Sequence, residues 1–284
     1  MNTDELVLKR LSADHLDKLI TAQNDIFSDY VIPIRSSREF FVEFMRSVGG
    51  RMGDIIVAHQ GDDIVGYVNP VLDGRQVWIG GLGVVPRMRR DGVGTKLMEA
   101  AEEFAESMGA DEVILEVIEA NTAARRLYEG LGYEPQATYL SAEGKAAQFA
   151  GFGPTPDKAQ LDEVEGIHAR SYKDSCWQRR KRAALAESAR TCEIYKSEGG
   201  FVMLRRVSST GFIPFLGVDP SLRRNGVGTW LAKFALNRLW ELGAFKVAMY
   251  NVNDDEATRR MLDMFDFAVT LKQLEMRKEL RQGV

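Results

Sequence analysis

The stretch VVPRMRRDGVGTKLMEAA, residues 84–101, decides how this chain is read. An apolar run ends at Val85 and Pro86 follows. After Arg89-Arg90-Asp91-Gly92-Val93-Gly94 an amphipathic helical pattern begins at once. The pattern predicts a strand, a tight glycine turn and a helix start. The first N–H groups of a helix have no intrahelical partner, and the helix dipole adds partial positive charge there. Such a turn suits an anion, phosphate above all. The stretch then recurs as VDPSLRRNGVGTWLAKFA, residues 218–235, with Arg223-Arg224-Asn225-Gly226-Val227-Gly228 in the same places.

Arg223 lies 134 residues after Arg89, and Phe267 lies 134 residues after Tyr133, so everything from the glycine loop to the last strand aligns without a gap. That is duplication of a whole α/β domain, not a short solenoid repeat. A chain of 284 residues suits two domains. The polar run Ala142-Glu143-Gly144-Lys145-Ala146 is the expected boundary, giving domains of residues 1–145 and 146–284. In each half a first strand (6–11; 146–156) and two helices (14–27 and 37–48; 157–171 and 175–188) precede a three-stranded meander. The glycine loop, a helix, a strand, a helix and a final strand follow. The fold class is α/β with a mixed sheet.

Composition is that of an ordinary globular protein, 45% hydrophobic and 27% charged, with net charge −4. That balance argues against a nucleic-acid partner held by a basic field. No apolar run approaches the roughly 20 residues of a membrane span, and the acidic start Met1-Asn2-Thr3-Asp4-Glu5 is unlike a signal peptide, so a cytoplasmic protein is expected. Cys176 and Cys192 read as reduced thiols, with a bridge between them as the alternative. His15, His59 and His168 are in no metal-ligand spacing, so no metal is expected.

The order of elements and the motif R-x-x-G-x-G resemble the GNAT superfamily of N-acetyltransferases. Asn121-x-x-Ala124-x-x-Leu127-Tyr128-x-x-Leu131-Gly132-Tyr133 is similar to that family's downstream helix motif. The resemblance covers both halves, as two tandem GNAT domains. Within the family, LEVIEANTAARRLYEGLGYEP looks most like protein N-terminal acetyltransferases of the ribosomal-protein type. The tandem layout instead resembles two-domain acetyltransferases such as mycothiol synthase, where one domain catalyses and the other has lost activity.

The resemblance implies acetyl-CoA as donor and direct attack of a primary amine on its thioester. Arg89, Arg90, Asp91, Gly92, Val93, Gly94 and Thr95 would cradle the pyrophosphate, the glycines keeping side chains away from the N–H groups. Leu82, Val84 and Val85 look like the family's strand edge that pairs with the pantetheine arm; they are also core. A backbone N–H there would face the oxyanion. Tyr128 matches the family's general acid, or is a half-buried helix tyrosine. Asn121 would bond the cofactor arm, or cap its helix, or both. Glu116, a charge mid-strand between Leu115 and Val117, is a base or a solvated edge residue. An α-amine near pKa 8 costs about 1.4 kcal/mol to deprotonate at neutral pH, a lysine about 4.6, so Glu116 acting through water would suffice for the first. The acceptor would enter near Asp29–Arg38 and the second helix, where Phe40, Phe41 and Phe44 are mostly core. Peptide N-termini and small amines or antibiotics are the competing acceptors, and a non-catalytic acyl-CoA-binding sensor is the competing class. A monomer or homodimer is expected.

The second half departs at the chemical positions. The 134-residue offset sets Leu262 against Tyr128, Tyr250 against Glu116, Asp255 against Asn121 and Asp266 against Gly132. Its loop, Arg223, Arg224, Asn225, Gly226, Val227, Gly228 and Thr229, is kept. The first domain is therefore expected to be catalytic and the second degenerate, with its loop still able to hold a CoA. The basic run RRKRAA from Arg179 reads as a solvated helix face.

Overall fold

In the computed structural model of the protein, residues 5–32, 35–150 and 154–280 are described. The acidic N-terminal residues up to Asp4, Pro33 and Ile34 of the expected acceptor segment, and residues 151–153 of the expected second first strand lie outside them. Compactness divides the chain into a unit of residues up to Gln136 together with those from Leu274, and a unit of Ala137–Gln273.

In the first unit, β1 (Leu6–Arg10), β2 (Ile56–Gln60), β3 (Asp63–Asp73) and β4 (Gln76–Val84) are an antiparallel meander, and β5 (Glu112–Ile118) joins β4 in parallel. Helices α1 (Leu16–Ile26) and α2 (Arg38–Val48) fill the connection between β1 and β2. Helix α3 (Val93–Ser107) crosses from β4 to β5, and α4 (Thr122–Gly130) follows β5. The core face of α1 is Leu16, Leu19, Ile20, Gln23 and Ile26, a helical stripe with one polar member. Ser37 caps α2 through the Phe40 N–H, and Gly49 ends it in left-handed geometry. A 3-10 turn of residues 13–15 precedes α1, and Ser12 before it makes no side-chain cap bond. Phe41 is buried, Phe44 half-buried and Phe40 exposed. Met108, directly after the last residue of α3, is exposed.

The second unit repeats the plan. A two-residue β7 (Asp157–Lys158) precedes α5 (Leu161–Ser171), α6 (Trp177–Arg180) and α7 (Arg182–Ala189). The meander is β8 (Glu193–Ser197), β9 (Gly200–Val207) and β10 (Thr210–Val218), followed by α8 (Val227–Glu241), β11 (Lys246–Asn253) and α9 (Glu256–Met264). β10 pairs with β11 in parallel.

Three expectations need correction. The 142–146 run is strand, not linker: β6 (Glu134–Lys145) continues through it, with Gly144 opposite Val247 of β11. Its glycine is there for close approach, since a Cβ would lie 2.6 Å from the Phe267 ring. The compact units are thus not residues 1–145 and 146–284; most of β6 belongs to the second unit. The last strand β12 (Ala268–Glu279) gives its residues from Leu274 to the first, where Met276 and Leu280 enter the core. Secondly, residues 146–150 form no strand; the side-chain amide of Asn237 takes both backbone groups of Phe149, at 2.6 and 3.0 Å. Finally, the run at Arg179 is no solvated face. Arg179 is buried, and Arg180 and Lys181 lie over the ring of buried Trp177.

The 134-residue register is visible in the backbone. Arg90 and Arg224, Gly92 and Gly226, Gly109 and Gly243, and Gly132 and Asp266 all have positive φ. Both free cysteines are unbridged. No helix among the described residues is long and apolar enough to cross a membrane.

Gly83 on β4 faces α1, and a Cβ there would sit 2.3 Å from Cγ2 of Ile26. Gly83→Ala is expected to lower stability by about 1–3 kcal/mol. In urea melts, Gly83→Ala combined with Ile26→Ala should cost clearly less than the two single changes added.

Candidate active site

The parallel pairing of β4 with β5 runs from Gln76–Glu112 to Ile79–Leu115. Beyond that point β4 carries a bulge, with two residues, Gly80 and Gly81, opposite Asn69 of β3. Both glycines are needed there. A Cβ on Gly80 would meet the Trp78 ring at 2.6 Å, and one on Gly81 would meet the Tyr67 hydroxyl at 3.1 Å. β4 goes on to Val84 with Leu82, Gly83 and Val84 paired only to β3, and its other edge parts from β5. The two strands thus leave a wedge between them. Leu82 and Val84 are half-buried against the core, while Val85 is buried and its N–H is already given to Val65 O at 2.9 Å. Val85 therefore closes the strand and offers no donor to a ligand.

The wedge leads to the glycine loop. Arg90 (φ 73°) and Gly92 (φ 77°) turn the chain, and α3 begins at Val93 with no side chain capping it. A Cβ on Gly92 would meet nothing within 4 Å, so the space over the open helix start is clear. Gly94 is different: a Cβ would lie 3.3 Å from Leu127 of α4, so that glycine serves helix packing. Arg90, Asp91 and Gly92 are exposed around the turn, with Thr95 half-buried. Arg89 points the other way. Its guanidinium pairs in bidentate fashion with Asp29 at 2.7 and 2.9 Å, and bonds Ile26 O at 2.8 Å and Val84 O at 3.2 Å. It ties the end of α1 to the loop, and this contact holds the Asp29 carboxyl below its usual range. Arg223 repeats that tie with bonds to Val218 O and Ser171 O.

Around the wedge stand the residues singled out from the sequence. Asn121 caps α4, accepting from the Ala124 N–H at 3.2 Å, and its side chain also bonds Tyr30. Tyr128 is buried, and burial beside Tyr30 and Tyr67 raises its pKa. Burial raises Tyr67 likewise, and Gln23 donates to its hydroxyl at 3.0 Å. Glu116 is half-buried one residue past the last β4–β5 pair, and accepts a hydrogen bond from the Trp78 indole N–H. The sequence reading missed Tyr30, Tyr67, Gln23 and Trp78. Tyr67 and Trp78 fall inside strands of the meander, and nothing local marks their polar ends as facing a wedge. Among the described residues no group of three or more His, Cys, Asp or Glu is gathered for a metal ion.

In the second unit Asp255 caps α9 as Asn121 caps α4. Leu262 is buried among apolar neighbours that include Met249 and Phe267. Tyr250 is about half exposed on β11, at 47%.

The sequence profile of the acetyltransferase (GNAT) family matches residues 19–133 and 161–267, most of the chain and both units. A crystal structure of a GCN5-related N-acetyltransferase from Sphaerobacter thermophilus superposes with TM-score 0.72, at 18% identity over 98% of this chain and 97% of that one. A tandem GNAT protein from the clavulanic acid biosynthesis pathway superposes with TM-score 0.71, at 14% identity over 99% and 100%. Among curated proteins, 52 residues are 50% identical to mycothiol acetyltransferase of Thermobispora bispora, a match spanning 18% of each chain. The low-identity structures speak for the fold and the profile for the family: this chain belongs to the GNAT family of acetyltransferases, carries its domain twice in tandem, and is an acyltransferase.

Proposed function

We propose that the first unit transfers the acetyl group of acetyl-CoA to a primary amine. The observation that carries this is the wedge itself: a strand edge at Leu82–Val84 that β5 does not pair and that runs straight to an uncapped helix start at Gly92–Thr95. A pantetheine arm carries amides that can pair with such an edge, and a pyrophosphate suits the N–H groups at its end. The clear space over Gly92 admits phosphate close to the backbone. The donor supplies a thioester whose acyl carbon an amine can attack. Arg90, Gly92, Val93, Gly94 and Thr95 would hold the phosphates. Arg89 would act indirectly, by fixing the loop to α1.

Glu116 stands at the mouth of the wedge with one carboxylate oxygen held by Trp78. The carboxylate can take a proton from the attacking amine directly or through water. Tyr128 keeps its proton across the ordinary pH range, because burial raises its pKa. It serves best as a hydrogen-bond donor to the departing sulfur. In Asn121 the oxygen is spent on the helix cap, which leaves the amide N–H groups for Tyr30 or the cofactor arm. Val31, Ile32 and Phe40, at the expected acceptor entrance, are exposed apolar side chains. They suit an amine with an apolar flank, such as a peptide N-terminus, better than a polyamine or aminoglycoside.

Tyr128→Phe is expected to lower kcat at least about tenfold, the low end for loss of a proton donor, with donor affinity unchanged. An unchanged kcat would remove Tyr128 from the chemistry. A donor that must stay protonated and has a raised pKa limits the rate only at strongly alkaline pH. The kcat–pH profile should therefore rise from the acid side and show no fall below about pH 10, the ordinary tyrosine value. A fall nearer neutrality would assign the proton to another group. Peptides with free N-termini, polyamines and aminoglycosides compared as acceptors under initial-rate conditions test the choice of amine. Turnover confined to the last two classes would overturn the peptide reading, and no turnover with any of them would favour a binding module.

A further inference from the structure

The two units share the wedge, and they treat it differently. In the second, β10 pairs with β11 only from Thr210–Lys246 to Phe212–Ala248. A bulge follows, with Ile213 and Pro214 opposite Leu204 of β9. Proline suits that place, since it has no N–H to waste. Past the bulge, Leu216 is the counterpart of Leu82, 134 residues on. Its edge is taken: the Tyr172 hydroxyl accepts from the Leu216 N–H at 2.9 Å and donates to the Leu216 carbonyl at 2.9 Å. A second strand, or a ligand arm with amides, would use those same two groups.

Tyr172 occupies the residue directly after α5, as Phe27 occupies the residue directly after α1. The two have nearly the same backbone, φ −111° and ψ 13° against φ −99° and ψ 11°. Only the tyrosine has a hydroxyl to give. Arg179 then spans the splay. One guanidinium nitrogen donates to the Tyr172 hydroxyl at 3.1 Å, and another to the Tyr250 carbonyl on β11 at 2.6 Å. Its plane lies over the rings of Tyr172 and Phe215, and its own carbonyl is bonded by the ring of buried His168 at 2.8 Å. Asn253 further along β11 donates to Asp174 O at 3.2 Å. Cys176 and Trp177, within the same segment, are buried.

We propose that residues 172–180 seal the second unit's donor cleft by standing where an acyl-CoA arm would lie, so that the protein takes up one acyl-CoA, in the first unit. The second glycine loop then persists for the fold. Its arginine ties α5 to the turn as Arg89 ties α1, a role that needs no phosphate. The stoichiometry rests on the reading of the first wedge as the donor site; the seal does not.

Hydrogen exchange of the full chain, followed by mass spectrometry with and without acetyl-CoA, tests both parts. Peptides across residues 82–95 should exchange more slowly with the donor, and peptides across 213–229 should not change. Native mass spectra should show one donor per chain. Slowed exchange across 213–229, or two donors per chain, would overturn the proposal. Tyr172→Phe should speed exchange of the Leu216 amide in the free protein about fivefold or more, the loss of one buried hydrogen bond; an unchanged rate would also overturn it. A donor that alters neither region would refute the reading of the first wedge, and the Tyr172→Phe result would still report on the seal.

Discussion

A parallel strand pair shares hydrogen bonds only while both strands keep in step, and the bulge at Gly80–Gly81 takes β4 out of step with β5 after Ile79 and Leu115. The candidate site of the first unit follows from that parting. The parting frees the edge at Leu82–Val84 and brings Glu116 to the mouth of the gap. It also aims β4 at the loop where α3 starts without a side-chain cap. The bulge in turn depends on residues with no Cβ, because the Trp78 ring and the Tyr67 hydroxyl already fill the space on either side.

The same parting occurs in both units, and the difference between them is what fills it. In the second unit a tyrosine hydroxyl and an arginine complete the hydrogen bonds of the open edges. In the first, the corresponding residue after the helix is Phe27, which has no hydroxyl, and its ring packs edge-on to Tyr30. Duplication thus left two copies of one backbone device, with Tyr128, Glu116 and Asn121 beside the first and a strap of the chain's own side chains across the second.

Much of this was legible in the sequence where the signal is periodic or conformational. The glycine loops, the strands of both meanders and the extent of α2 follow from spacing and turn chemistry. The 134-residue register, which survives even where Asp266 takes the left-handed place of Gly132, follows from plain alignment. What the sequence hid are contacts between residues far apart in the chain. Gly144 reads as a linker until Phe267 is seen on top of it. Arg89 reads as a phosphate ligand until Asp29 and Ile26 are found holding it. Arg179 reads as a solvated cation, although it lies buried between two strands. Each is a long-range pairing that no local pattern announces.

A crystal structure with acetyl-CoA bound tests the central claim most directly. The account predicts the pyrophosphate against the N–H groups of Gly92–Thr95 and the arm along the Leu82–Val84 edge, with Arg89 still paired to Asp29. A donor bound with that edge unoccupied, or with Arg89 swung away from Asp29 onto the phosphates, would contradict it.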